Sequence, residues 1–144
     1  MFASYSFDAA CWEIFQALFC GATLYVPTTE TILNYERFEQ YMADHHITVA
    51  ALPPTYAVYW SRTDANLRIL FTAGSASSTD GIQMEGSVAY YNGYGPTENS
   101  VATSIWPVSE DERAGQLISI GRLCRITGCT CWMSWTFGSG RRSR

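Results

Sequence analysis

At 144 residues, 47% of them hydrophobic and 15% charged, with a net charge of −4, the chain is long and apolar enough for one modest domain with a real core. That composition excludes a disordered chain, and no apolar run reaches the ~18 residues that a membrane span needs. The first positive charge is Arg37, so a secretory leader is not expected; a cytoplasmic location is, with neither nucleic acid nor membrane as partner.

In chain order, "DAACWEIFQALFCG" from Asp8 has apolar residues at helical spacing and a natural stop at Gly21. "ATLYVP" is a short β-rich run closed by Pro27. "LNYERFEQYMADHH" reads as an amphipathic helix with Leu33, Phe38, Tyr41 and Met42 on or near one face. "ITVAALPP" is an apolar strand halted by two prolines, and "TYAVYW" suits a short helix. "LRILFTAGS" and "SVAYYN" are two more strands, each running into a loop of small residues. Strands that are apolar throughout, alternating with helices, predict a mostly parallel sheet covered by helices. Trp60 and Trp106 read as packing residues, "SEDER" at 109–113 as a solvated loop, and His45-His46 as a helix end near the dipole's negative pole. Five cysteines are an odd count; Cys11 and Cys20 sit among apolar neighbours, and the spacing supports neither a disulfide framework nor a metal site.

Parallel sheets place ligands at the carboxyl ends of their strands. Two loops meet that condition, "TAGSASS" and "NGYGPTENS". Their glycines let backbone approach a ligand closely, and free N–H groups in such a loop can hold an anion. Thr97 offers a hydroxyl to a phosphate oxygen, Glu98 a hard oxygen to Mg²⁺, and Tyr94 a flat face to a heterocycle. On chemistry alone the same loop also reads as an ordinary surface turn. Asp8, flanked by Phe7 and Ala9, reads in two ways: as a helix N-cap, or as a carboxylate awaiting a cationic partner.

"NGYGPTE" resembles the core motif of adenylate-forming (AMP-binding) enzymes, in the form typical of nonribosomal peptide synthetase adenylation domains. "SFDAACWEIFQALFCGATLYV", "ITVAALPPTY" and "LRILFTAGSASS" resemble three further segments of that family in the same order. The resemblance covers residues 2–122, and Ala10 stands where the family usually has Ser. It implies an α/β fold, part of the large N-terminal subdomain of adenylate-forming enzymes. It implies activation of an amino acid by ATP with Mg²⁺, then transfer to the phosphopantetheine arm of a peptidyl carrier domain that works with condensation domains. Matching the motifs residue by residue puts Asn92 and Tyr94 on the adenine, Thr97 on the α-phosphate and Glu98 on Mg²⁺. Thr97 and Glu98 are then the catalytic pair, and Gly74, Gly93 and Gly95 complete the nucleotide loops. Asp8 becomes the partner of the substrate ammonium. Ala9, Trp12, Ala51, Phe71, Ala73, Gly93, Val101 and Ala102 line the side-chain pocket. That lining is apolar, with small residues at Ala51 and Gly93, so a large hydrophobic amino acid is expected. Alternatives are an acyl-CoA synthetase-like ligase of the same superfamily, whose acyl substrate has no ammonium for Asp8, and a non-catalytic gene remnant.

The end of the chain reads differently. Residues 123–144 hold no acidic residue and three of the five cysteines, and the whole chain lacks lysine. The family's phosphate loop would lie before residue 1, and its ribose-binding aspartate and catalytic lysine after residue 122, so this chain alone is expected to be inactive. The family pattern stops at Leu123, where it has proline. Loss of one base there accounts for the tail. In the shifted frame Cys131-Trp132 must encode Leu, Trp132-Met133 must encode Asp, and the neighbouring codons permit "YVLDE", the family's next motif. A partial adenylation domain at 1–122 and a frameshifted tail at 123–144 are therefore expected.

Overall fold

The structure, a computed structural model, describes residues 1–59, 66–76, 88–99, 101–109 and 118–123. Trp60, the run at 110–113 and the tail beyond 123 lie outside the described residues.

Helix α1 spans Asp8–Phe19 and buries Ala10 and Trp12. Its N-cap is Phe7, in extended conformation and without a side-chain capping bond, so Asp8 is the first helical residue and not the cap. At the other end Gly21 takes a positive φ of 66°. The Ala22 N–H bonds the Ala17 carbonyl at 2.9 Å and the Gly21 N–H bonds that of Leu18 at 3.1 Å, the paired closure of a Schellman turn. The "ATLYVP" run that follows is not a strand. β-formers become a strand only beside a neighbour that supplies ladder bonds, and no described strand runs alongside it.

Two capped helices come next. Thr28 caps the short α2 (Thr29–Ile32) by accepting from the Thr31 N–H at 3.2 Å. Asn34 caps α3 (Tyr35–Asp44) by accepting from the Arg37 N–H at 2.9 Å. The cap at Asn34 removes Leu33 from the amphipathic face: it ends α2 and is 78% exposed, while Phe38 and Met42 are buried as expected. His45 ends α3 and packs its ring against Tyr25 and Tyr41, a structural placement.

Strand β1 (Val49–Leu52), the one-turn helix α4 (Pro54–Ala57), β2 (Ile69–Thr72) and β3 (Ala89–Tyr94) follow the expected order. Two further strands, β4 (Ser104–Pro107) and β5 (Arg122–Leu123), were not legible in the sequence. The sheet order is β1-β2-β3-β4-β5. The first three strands are parallel, with Ala51 opposite Phe71 and Phe71 opposite Tyr91. The last two are antiparallel, so the sheet is mixed.

Alternation along the strands divides the core between two faces. One face carries Ala50, Leu52, Leu70 and Tyr90 and receives Phe38 and Met42 of α3, with Trp106 packed against it. Within it the buried hydroxyls of Thr72 and Tyr90 satisfy each other at 2.8 Å. The other face carries Ala51 and Phe71 and receives Trp12 of α1. The helices thus cover opposite faces of one sheet, and α1 brings its N-terminus to the side that holds the candidate pocket.

Candidate functional site

The indole of Trp12 and the ring of Phe71 meet at 4.3 Å between centroids, tilted by 54°. Ala51, Ala73, Val101, Tyr91 and Ile105 pack on that pair. Five of the pocket residues expected from sequence therefore converge, drawn from one helix, two strands and two loops. Gly93 joins them by a close approach: a Cβ built there would lie 2.2 Å from Phe71 Cζ. The space that glycine leaves open is filled by the Phe71 ring, so it is not itself room for a ligand. Ala9 and Ala102 are half-buried and stand outside the packed cluster.

Tyr91 and Ile105 were missed in the sequence. Tyr91 is two residues before Gly93 and so shares its face, a signal that strand period alone contains. Ile105 lies directly opposite Gly93, and that pairing exists only through the β3–β4 hairpin.

Asp8 is half-buried on the first turn of α1, one turn before Trp12 and on the same side of the helix. It makes no capping bond, and among the described residues it makes no ion pair. A carboxylate at a helix N-terminus is favoured by the dipole, and this one remains able to accept a cation. Glu13 has the contrasting role. It accepts from the N–H groups of Phe2 and Ala3 at 2.8 and 2.9 Å, tying the chain that enters α1 to the helix itself. Burial lifts its carboxyl above the ordinary range, against the pull of those two amides.

The "NGYGPTENS" loop connects β3 to β4. Gly95 lies against the returning strand: a Cβ there would meet the Val101 carbonyl oxygen at 2.4 Å and the Thr103 nitrogen at 2.7 Å. Val101 in the same loop has a φ of 76°, an outlier for a β-branched residue. The Thr103 N–H closes the loop on the Tyr94 carbonyl at 2.8 Å, and the Asn99 amide donates to Thr103 Oγ1 at 2.7 Å. Thr97 and Glu98 stand exposed on a single 3-10 turn, and Tyr94 is exposed at the strand end. Gly74, after β2, has a φ of 97° and open space above it. Asn92 is turned to the opposite face from Phe71, buried, with its amide nitrogen donating to the Ser119 carbonyl at 3.0 Å. Tyr94, Gly95, Thr97 and Glu98 therefore follow one another at the end of β3, the strand paired with that of Phe71, and Asn92 is engaged within the fold.

Among the described residues no group of three or more His, Cys, Asp or Glu could hold a metal. One exposed carboxylate, Glu98, fits Mg²⁺ whose other ligands come from water and substrate phosphates, and does not fit a metal caged by protein. Cys11 is exposed, contrary to its apolar sequence neighbours, because it falls on the outward side of α1; Cys20 is half-buried, and both are free. No described helix is long and apolar enough to cross a membrane.

An exposed acidic loop residue and an apolar cluster, both toward the carboxyl ends of parallel strands of an α/β sheet, make the arrangement in which such sheets place ligands. The model of the AMP-binding enzyme family matches residues 1–130. Tyrocidine synthase 2 of Brevibacillus parabrevis is 46% identical over 123 residues, which are 84% of this chain and 3% of that protein. The Vibrio cholerae adenylation domain AlmE, solved in complex with glycyl-adenosine-5'-phosphate, superposes with a TM-score of 0.73 at 26% identity, covering 85% of this chain and 24% of that one. An NRPS protein containing adenylation and PCP domains superposes at 0.70 with 26% identity, over 84% of this chain and 26% of that one. The chain belongs to the AMP-binding enzyme family, as a partial adenylation domain of the nonribosomal peptide synthetase type. It spans a small part of the length of the relatives it matches.

Proposed function

We propose that this chain carries the substrate side of an amino-acid-activating adenylation domain, and that its pocket selects a hydrophobic amino acid. The observation that supports this is the convergence of Trp12, Ala51, Phe71, Ala73 and Val101 on one sheet face, with Asp8 one helical turn from Trp12. Asp8 pairs with the substrate ammonium. The apolar wall offers no partner to a charged side chain, whose burial there is costly. A bulky side chain lies over Ala51 and against the rings of Trp12 and Phe71, since Phe71 fills the space at Gly93.

The substrate carboxylate then attacks the α-phosphorus of ATP; the new P–O bond forms as the bond to pyrophosphate breaks. Thr97 donates its hydroxyl to an α-phosphate oxygen, and Tyr94 offers its ring to the adenine. Glu98 is the residue that would hold Mg²⁺, which when bound neutralises phosphate charge in the transition state. The phosphopantetheine thiol of a peptidyl carrier domain in the parent synthetase, next to a condensation domain, would then take the acyl group: the C–S bond forms as the acyl–phosphate C–O bond breaks, releasing AMP and the thiol proton. The rest of the large subdomain and the C-terminal domain that complete this reaction must come from outside residues 1–122.

Fusing residues 1–122 to the missing parts of the matching tyrocidine synthase 2 module gives a testable enzyme. Amino-acid-dependent ATP–pyrophosphate exchange is expected to be highest with phenylalanine, leucine or a similar side chain; a preference for Asp, Glu or Lys overturns the reading. In that fusion Asp8→Ala is expected to raise the KM for the amino acid roughly ten- to a hundredfold while leaving that for ATP nearly unchanged, as loss of a charged hydrogen bond worth ~1.5–3 kcal/mol requires. An acyl-CoA synthetase-like activity predicts no such effect, because a fatty acyl substrate has no ammonium.

A further inference from the structure

Phe71 and Tyr91 are direct partners in the parallel β2–β3 ladder, so their side chains emerge on the same face of the sheet. The Phe71 ring does not stand beside Tyr91 alone. It leans diagonally across β3 and over Gly93, where a built Cβ would meet its Cζ at 2.2 Å, its Cε1 at 2.7 Å and its Cε2 at 3.2 Å. Those three atoms are the far end of the ring, so the tip of Phe71 occupies the Gly93 position. Gly93 in turn is the direct partner of Ile105 in the antiparallel β3–β4 ladder. Residues directly opposite in such a ladder share a face, and the Ile105 side chain therefore starts about 5 Å from the point that the ring tip has reached. It packs on the Trp12–Phe71 pair. Trp12 covers the ring from α1, and Phe71 is left 2% exposed. The ring is thus rooted on β2, with Tyr91 at its side, Trp12 over it and Ile105 in the direction in which it leans.

We propose that Ile105 is a positioning residue for substrate selection. It sets how far the Phe71 ring lies across Gly93, and so how much room is left between Phe71 and Trp12 for the side chain of the amino acid. The proposal rests on the reading of this cluster as the amino-acid pocket. In a close-packed interior the place of a ring is set by what it abuts. A smaller residue in place of Ile105 lets the tip of Phe71 advance toward β4, which withdraws the ring from Trp12 and widens the pocket. A larger one drives the ring back onto Trp12 and narrows it. Ile105 acts through Phe71, because the ring tip takes the volume at Gly93 that separates Ile105 from the substrate side.

The contact is tested first in the 144-residue chain itself. With isoleucine methyl groups labelled, a nuclear Overhauser effect between Ile105 and the Phe71 ring protons is expected, and its absence overturns the proposal. Selection is tested in the fusion with the tyrocidine synthase 2 module. Ile105→Ala is expected to raise the ratio of tryptophan- to leucine-dependent pyrophosphate exchange about tenfold, the worth of about one methylene in an apolar pocket. Ile105→Phe is expected to lower that ratio, and Ile105→Val, which keeps a β-branched residue in the strand, to fall between the parent and Ile105→Ala. The change is expected in the KM for the amino acid while that for ATP stays nearly the same, a split that a general loss of stability does not produce. With Phe71→Leu already in place, Ile105→Ala is expected to shift the ratio less than about threefold, because the ring it acts through is gone. Unaltered ratios in a fusion that does exchange with phenylalanine or leucine overturn the positioning role and leave the pocket standing. The same shift with and without the Phe71 ring means that Ile105 meets the substrate directly, and also overturns it. A parent fusion that exchanges with no hydrophobic amino acid fails at the pocket itself, and this proposal falls with it.

Discussion

Gly93 and Gly95 are two residues apart in one motif, yet the structure gives each a different reason to be glycine. At Gly93 the obstacle is a side chain: Phe71 Cζ at 2.2 Å from a built Cβ, with Trp12 behind the ring. Gly93→Ala is expected to cost about 1–3 kcal/mol by overpacking, and a second change, Phe71→Leu, is expected to recover most of it in urea unfolding. Without that recovery the ring is not the obstacle. At Gly95 the obstacle is backbone, which cannot swing aside, so no second-site side-chain change is expected to rescue Gly95→Ala. Glu13 supplies a pH-dependent measurement at the same scale. Its carboxyl is raised above the ordinary 4.5, chiefly by burial. The fold therefore favours protonated Glu13 over the unfolded chain; that stabilisation is full below the unfolded value and is lost as pH rises through the raised one. The stability difference between the parent and Glu13→Gln is expected to favour the parent most near pH 4 and to shrink toward pH 7. A difference that grows with pH would remove this account of Glu13.

Among the elements, α1 supplies two residues of the candidate site, Asp8 and Trp12, and is anchored at each end by its own bonds. Glu13 holds the incoming chain and the Schellman turn at Gly21 holds the outgoing one. Gly21→Ala meets no atom within 4 Å, so its cost is conformational alone, about 1 kcal/mol for placing a Cβ at positive φ. Thermal unfolding is expected to shift down by a few degrees while the circular-dichroism helix signal holds; an unchanged midpoint would mean that this end frays. The β3–β4 hairpin is the second positioning element. It carries Thr97 and Glu98 outward and packs Val101 against the Trp12–Phe71 cluster, so one loop presents exposed polar residues and contributes to the apolar cluster together.

At the scale of the whole molecule, the described residues form one mixed sheet with helices on both faces, and the family match to residues 1–130 runs seven residues past Leu123, where the motif pattern ends. We attribute the remainder to a frameshift at Leu123. Restoring one base near codon 123 is expected to open a frame that continues into "VYVLDE"-like sequence; a gene with no such frame refutes it.

The sequence by itself determined the positions of β1, β2 and β3, the helix stop at Gly21 and five of the residues that pack together around Phe71. Each rests on local chemistry: apolar runs, a glycine that tolerates positive φ, and motifs whose spacing is carried by neighbouring residues. Only the tertiary structure decided the rest. The β-rich 22–28 run lacks a ladder because a strand requires a partner that no window of sequence contains. Leu33 left the amphipathic face because Asn34 captured the cap. Ile105 packs on the Trp12–Phe71 cluster because β4 turns back on β3, and the volume left free at Gly93 is taken by the Phe71 ring of the neighbouring strand.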